Sequence, residues 1–354
     1  MRQKTLFEIL GENTKKGELF ERLPERRVRC YACAHRCLIA DGKAGICLMR
    51  LNQGGELYVP HGYVAGLHDD PIEKKPFYHV LSGAYAMSFG MLGCDFHCGY
   101  CQNWITSQAL RDSSAVSSIM KIKAEEIVKL ALERNCRVVT STYNEPLITT
   151  EWAVEVFKEA KKRGLVTSYV SNGYATPEVL DYLRPWLDAY KVDLKGFDDN
   201  HYRELGGSLD VVCQTIRGLH ERHIWVEIVT LLVPGFNDSQ DELKSLTEFV
   251  ASVSPDIPWH VTAFHQDYDM TEYRDTSPED LLRAVDIGKK AGLRYVYAGN
   301  LPGTVGEWES TYCHHCGDIL VKRSGFRVLQ NQIASREGKC IKCGTRIPGF
   351  WIKN

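Results

Sequence analysis

Long apolar runs are missing from this chain. No stretch approaches the ~18 residues that cross a bilayer. The opening MRQKTLFEILGE also lacks the hydrophobic centre of a signal peptide, so a soluble, cytoplasmic protein is expected. Low-complexity tracts and internal repeats are lacking too, and the composition excludes collagen-like and mucin-like chains. Charge of one sign hardly accumulates, with 43 Lys and Arg against 45 Asp and Glu. Apolar residues make up 44% and charged residues 25%, as in folded globular proteins and unlike disordered ones. The absence of HExxH, or of a comparable His and carboxylate ligand set, speaks against a zinc hydrolase. A length of 354 residues implies about two domains, or one large one with appendages.

What the chain has in excess is cysteine. An odd count of 13 in a cytosolic chain points to metal ligation or thiol chemistry, not to a disulfide framework. Eleven fall into three clusters: Cys30, Cys33, Cys37 and Cys47; Cys94, Cys98 and Cys101; and Cys313, Cys316, Cys340 and Cys343. Cys136 and Cys213 stand alone in apparent strand and helix, where buried small hydrophobes are expected.

The third cluster is two C-x2-C knuckles, each followed by glycine, and supplies four thiolates for tetrahedral zinc. A module of that size is too small for a self-sufficient core, so a structural zinc is expected, with a docking ribbon for nucleic acid or protein as the alternative. The first cluster has the ligands for zinc or for an iron–sulfur cluster. Zinc is favoured because nothing nearby in sequence suggests an electron route; His35 is a further possible ligand or an exposed turn residue. The second cluster stops at three thiolates, enough for three irons of a [4Fe–4S] cluster with the fourth left open for chemistry.

The ends look basic: residues 1–55 carry eleven Lys and Arg against six Asp and Glu, and 306–354 carry eight against four. A zinc ion held by four thiolates contributes about −2, so the excesses of +5 and +4 fall to about +3 and +2 and nucleic-acid binding is not expected.

Between the outer clusters, strands and helices alternate. Strands are predicted at 84–92, 138–143, 166–172, 189–194, 225–233, 259–264 and 294–299, and helices at 124–135, 150–164, 176–187, 209–223, 241–253 and 277–293. Thr176-Pro177 and Ser277-Pro278 are helix start signals. Nearly all-apolar strands suit a covered parallel sheet. The order gives an α/β fold, a partial (β/α)6-type TIM barrel at 84–305, with a doubly wound sheet as the alternative. A Cys-rich metal-binding extension is expected at 1–83 and a zinc-ribbon-like module at 306–354. Polar motifs gather at the predicted strand ends: the three-cysteine loop, Thr142-Tyr143-Asn144-Glu145-Pro146, Ser171-Asn172-Gly173, Asp193-Leu194-Lys195-Gly196, Val233-Pro234-Gly235-Phe236-Asn237-Asp238 and Phe264-His265. Function in barrels sits on that rim.

The segment GCDFHCGYC (93–101) resembles the signature of radical S-adenosylmethionine (SAM) enzymes. DLKG, VPGFND and the SNG segment resemble those of pyruvate formate-lyase activating enzymes. The ensemble of CYACAHRC, DPIEKKPFYHV, TYNEP, PWHVTAFH, YAGN and CGTRIPGFW is similar to the radical SAM member of the AmmeMemoRadiSam system. The resemblance implies an oxidoreductase-type enzyme in which SAM chelates the open iron and is cleaved reductively to methionine and a 5′-deoxyadenosyl radical. It also implies a flavodoxin- or ferredoxin-type electron donor and possible Memo-like and AMMECR1-domain partners. By the same analogy Tyr100 packs on adenine, Asn144 and Glu145 bind the methionyl ammonium, Ser171, Asn172 and Lys195 hold ribose and carboxylate, and Val233 and Pro234 bound the adenine pocket. The activating enzymes usually carry a GGE-type motif where this chain has Tyr143-Asn144-Glu145.

His260, His265 and Asp267 are expected at the sixth strand end, with His265 and Asp267 as acid–base candidates and His260 equally a core histidine. His97 reads as a loop filler, and Lys74 and Lys75 as a solvated charge pair or an anion site. A glycyl-radical enzyme activase is the alternative within the class. A multi-zinc scaffold or nucleic-acid binder is the alternative outside it.

Overall fold

In the computed structural model, residues 6–351 are described. At the centre lies an eight-stranded sheet in which each strand pairs with its neighbours in sequence. The strands are β1 (Gly66–Pro71), β2 (Tyr85–Gly90), β3 (Cys136–Ser141), β4 (Val166–Ser171), β5 (Ala189–Asp193), β6 (Trp225–Leu232), β7 (Trp259–Ala263) and β8 (Val296–Gly299). β1 runs antiparallel to β2, and every later pairing is parallel. The fold is therefore mixed α/β with a mainly parallel sheet.

The parallel strands are buried along almost their whole length, as their near-continuous apolar sequences require. Amphipathic helices cover them: α1 (Ala124–Glu133), α2 (Thr150–Lys162), α3 (Pro177–Leu183), α4 (Asp199–Leu205), α5 (Leu209–Glu221), α6 (Gln240–Val253) and α7 (Pro278–Lys290). The Thr176 hydroxyl accepts from the Val179 N–H to start α3, and Ser277 accepts from the Asp280 N–H to start α7, each followed by proline.

Two elements escape the apolar pattern. β1 is a polar edge strand, GLHDDP, and brings the sheet's first strand into the stretch assigned to the extension. α4 is short and begins where the Asp198 side chain accepts from the Asn200 and His201 N–H groups.

Among the described residues no ladder joins the edge strands β1 and β8. The C-terminal module, a three-stranded sheet of Thr311–Tyr312, Ile319–Ser324 and Arg327–Asn331, bears on both sides of that gap. Arg323 is fully desolvated there, donating to the Tyr78 carbonyl at 2.9 Å and the Thr311 hydroxyl at 2.8 Å, with Glu73 at 3.4 Å. Val80 pairs with Phe350, and on β8 the Tyr297 hydroxyl meets Thr311 at 2.8 Å. At the other end, small sheets of Thr14–Lys16 with Leu51–Gln53 and Glu56–Pro60, and of Phe20–Leu23 with Arg27–Cys30 and Leu38–Ile39, carry the first cysteine cluster. A buried bidentate pair, Arg50 to Glu151 at 2.7 and 2.8 Å, ties that region to the start of α2.

Candidate active site and metal centre

The chain leaves β2 through Gly90, where only glycine fits: a Cβ would stand 2.4 Å from the Thr142 carbonyl oxygen. The loop that follows delivers Cys94, Cys98 and Cys101 to a cavity of about 400 Å³ at the C-terminal ends of the parallel strands. Burial pushes the Cys98 thiol up to about 12, with Lys195 pulling the other way, and pushes Cys94 up as well, helped by Asp95 and Glu145. Buried thiols of this kind ionise when they bind metal. Three of them lining one cavity could serve as ligands to three irons of an iron–sulfur cluster and would leave a fourth iron open.

The second strand end supplies Asn144 and Glu145 after a turn made by Tyr143 at φ 73°. Both residues line the cavity, and both are already engaged by the protein. Asn144 Oδ1 accepts from the Met91 N–H at 2.9 Å, tying its loop to the cysteine loop. Glu145 accepts from the Leu147 N–H at 2.9 Å, the Ser171 hydroxyl at 2.7 Å and the Asn172 N–H at 2.8 Å. Burial, with Asp95 second, still pushes its carboxyl up. Asn172 Nδ2 in turn donates to Asp95 at 2.8 Å. Ser171 and Asn172 thus hold Glu145 and the cysteine loop in register, a task the sequence motif did not disclose.

Tyr100 is buried on the cavity wall with its ring edge-on to Phe236 and the Lys195 ammonium 5.8 Å from its centroid. Against the pull of burial, Cys98, Tyr100 and Asp193 hold Lys195 well above its ordinary value. Asn237 fixes the same corner, donating to the carbonyls of Lys195 and Leu231. Val233 and Pro234 are buried but lie outside the lining, past the end of β6 at Leu232; the strand itself presents Val229 and Leu231, which share a face, to the cavity. That same alternation puts Lys191, Asp193 and Lys195 on one face of β5 and its extension, so Lys191 was legible as a lining residue and was missed.

The remaining candidates separate. His265 is exposed, with Nε2 3.1 Å from Gln102 Nε2, and Asp267 accepts from the Tyr268 N–H; neither lines the cavity. His260 is the second residue of β7, not a strand-end group, and is buried against Glu227 at 2.7 Å. His97 is exposed. Lys74 and Lys75 do line the cavity, each donating to Asp70 at 2.8 Å, and Lys75 is only 4% exposed, so the reading of a solvated pair fails for it. The antiparallel strand β1 places Asp70 beneath them.

Cys313, Cys316, Cys340 and Cys343 converge with all four sulfurs within 4.8 Å of one another, a set that could hold a metal ion. Sulfurs 313 and 343 are 3.6 Å apart, and 316 and 340 are 3.7 Å apart. The Thr345 hydroxyl and N–H pull the exposed Cys343 thiol down. In the first cluster Cys30, Cys33 and Cys47 are buried and Cys37 half-buried. His35 is not an exposed turn residue: it is half-buried, its ring against Tyr174 and its Nε2 3.2 Å from the Asp95 carbonyl. Cys136 and Cys213 are both buried. No helix among the described residues is long and apolar enough to cross a membrane.

Residues 90–249 match the Radical SAM superfamily. The chain is 35% identical over 335 residues to the uncharacterized protein MJ0808 of Methanocaldococcus jannaschii, covering 94% of this chain and 98% of that one. It is 25% identical over 225 residues to the pyruvate formate-lyase-activating enzyme of Staphylococcus aureus, covering 59% and 88%. It is 23% identical over 173 residues to the isethionate sulfite-lyase activating enzyme of Oleidesulfovibrio alaskensis, covering 46% and 55%. Among solved structures, Streptococcus suis SuiB bound to S-adenosylmethionine superposes with a TM-score of 0.50 at 14% identity, covering 70% of this chain and 59% of that one.

Proposed function

Because the chain carries a radical SAM domain and belongs to one family with the Methanocaldococcus jannaschii protein, we propose that it is an enzyme that cleaves SAM reductively and abstracts hydrogen from a substrate. The observation that carries this reading is that Cys94, Cys98 and Cys101 line the cavity shared by Glu145 and Lys195, with no fourth thiol there among the described residues. Cys94, Cys98 and Cys101 would hold a [4Fe–4S] cluster, which would supply the electron for cleaving SAM to methionine and a 5′-deoxyadenosyl radical.

This chain's own residues do the positioning. Glu145 is the acceptor for the methionyl ammonium, by a charge-assisted hydrogen bond. Ser171 and Asn172 act through Glu145, and Lys195 is the cation for the carboxylate. Tyr100, Val229 and Leu231 form the apolar wall for adenine. The partial-barrel reading is supported by the order of the parallel strands and by the open pair of edges over which the C-terminal module lies. The C-terminal cysteines suit zinc, since four 2.3 Å bonds in a tetrahedron set sulfurs about 3.8 Å apart.

Anaerobic reconstitution followed by SAM and dithionite tests the reading. Wild type is expected to release 5′-deoxyadenosine, and Cys98→Ala to fall to background. A wild-type protein that binds iron but releases none sinks it.

For the substrate, the motif ensemble supports an AmmeMemoRadiSam-type system with Memo-like and AMMECR1-domain partners. The similarity to two activating enzymes supports a second reading, abstraction from a glycine of a partner protein. Incubating reduced enzyme and SAM with each candidate partner separates them: a stable glycyl radical in the partner's paramagnetic spectrum selects the second.

A further inference from the structure

The first cysteine cluster differs in geometry from the third. A single tetrahedral zinc draws its four sulfurs to about 3.8 Å of one another. The C-terminal set has that spacing, at 3.6 and 3.7 Å. Among the described residues no other set of three or more such ligands converges in this way, so Cys30, Cys33, Cys37 and Cys47 gather without closing on one small ion. In a [4Fe–4S] cube each cysteine binds a different iron, and the sulfurs stand correspondingly apart.

A second observation lies beside them. Arg50 is 1% exposed and uses both terminal nitrogens on Glu151, while its Nε–H is buried with no acceptor. The neighbours acting on its charge include Cys30 and Cys47. Buried N–H groups without a partner are rare, and one on a guanidinium whose charge Cys30 and Cys47 act on calls for an explanation. Cluster sulfurs accept such hydrogen bonds. The Ile46 N–H already points at Cys37 sulfur, 3.4 Å away.

We propose that Cys30, Cys33, Cys37 and Cys47 hold a second [4Fe–4S] cluster, one thiolate per iron, with the Arg50 Nε–H as a donor to its sulfur. Four thiolates leave no open iron, so this site does not bind SAM; it is a one-electron centre. Its position gives it a use that the sequence alone hid. His35, between Cys33 and Cys37, reaches the carbonyl of Asp95, the residue after Cys94. Cys33 and Asp95 are themselves neighbours, and Ala34 donates to the Tyr174 carbonyl beside the same loop. The role, resting on the proposed radical SAM reading, is to take one electron from a low-potential donor of the flavodoxin or ferredoxin class and pass one on to the catalytic loop's cluster. No bond at the cysteines forms or breaks.

Metal analysis of the anaerobically reconstituted full chain tests the site without any variant. About eight irons and about one zinc per chain are expected. The triple variant Cys94→Ala/Cys98→Ala/Cys101→Ala should keep about four irons, with a dithionite-reduced paramagnetic signal that SAM leaves unchanged. Cys30→Ala/Cys33→Ala should lose about half the iron and keep a signal that SAM shifts. About four irons with two zincs in wild type, and none in the triple variant, overturns the assignment and leaves the radical SAM reading standing. Wild type without iron overturns both.

Discussion

At the scale of single residues, the site depends on a carboxylate that is costly to bury. Glu145 has three protein donors, and one of them, the Ser171 hydroxyl, also accepts from the Tyr190 hydroxyl at 2.7 Å and the Gly173 N–H at 3.1 Å. Removing that oxygen therefore does two things. It frees one side of Glu145, and it strands the buried Tyr190 hydroxyl, a loss of about 1–3 kcal/mol. Ser171→Ala is expected to lower unfolding stability by that amount and to weaken SAM binding, while iron content stays at the wild-type level. Denaturant melts and equilibrium SAM titration measure the two effects, and a variant with unchanged SAM affinity would show that Glu145 needs no support from Ser171. The raised carboxyl pKa has the same origin: burial and Asp95 outweigh three donated hydrogen bonds.

At the scale of elements, the seam between the sheet and the C-terminal module is built around one neutral histidine. The Pro348 carbonyl can only accept, so His79 Nδ1 carries the proton and Nε2 accepts from the Tyr297 hydroxyl, both at 2.7 Å. Burial pushes His79 down to about 4, against the opposing pull of Glu227. The unfolded chain, with an ordinary value near 6.5, takes up the proton first as pH falls. The stabilisation is thus fully present above about pH 6.5 and is lost towards pH 4, by on the order of 3 kcal/mol. Buried His260, also pushed down by burial, changes stability in the same direction. Urea midpoints at pH 7 and 5 should differ clearly in wild type and by less in His79→Gln; equal slopes would remove His79 from the account. This seam also shows what was readable beforehand. The seven parallel strands and six of their helices follow from apolar periodicity and Thr-Pro or Ser-Pro starts. β1 and α4 do not, because a polar edge strand and a side-chain-capped turn of helix carry no apolar period. His260 was grouped with the strand-end residues although the expected strand, 259–264, already made it the second residue; buried against Glu227, it fits the alternative expectation of a core histidine.

At the scale of the whole molecule, ligand spacing was the most legible feature and its setting the least. Cysteine counting separated the clusters, but which of them adjoin one another depends on long-range docking that spacing does not encode, such as Arg50 to Glu151 across 101 residues. The same is true of the C-terminal module. It reads as a detachable ribbon, yet Arg323 reaches Glu73 and Tyr78 across some 250 positions, and Phe326, next to its hairpin turn, lines the catalytic cavity. A metal at Cys313, Cys316, Cys340 and Cys343 therefore holds one wall of the active site as well as the module's own turns. Isolated modules of this size gain most of their folding free energy from such a metal. The double variant Cys316→Ser/Cys340→Ser is accordingly expected to lose one metal per chain and to become open to proteolysis beyond about residue 305. Its iron content should remain as in wild type, since the cysteines proposed to bind iron lie elsewhere. SAM cleavage should fall because the cavity loses the Phe326 wall and the Arg323 anchor together. Full cleavage activity in a chain proteolysed at that boundary would mean that the module only closes the fold and takes no part in shaping the site.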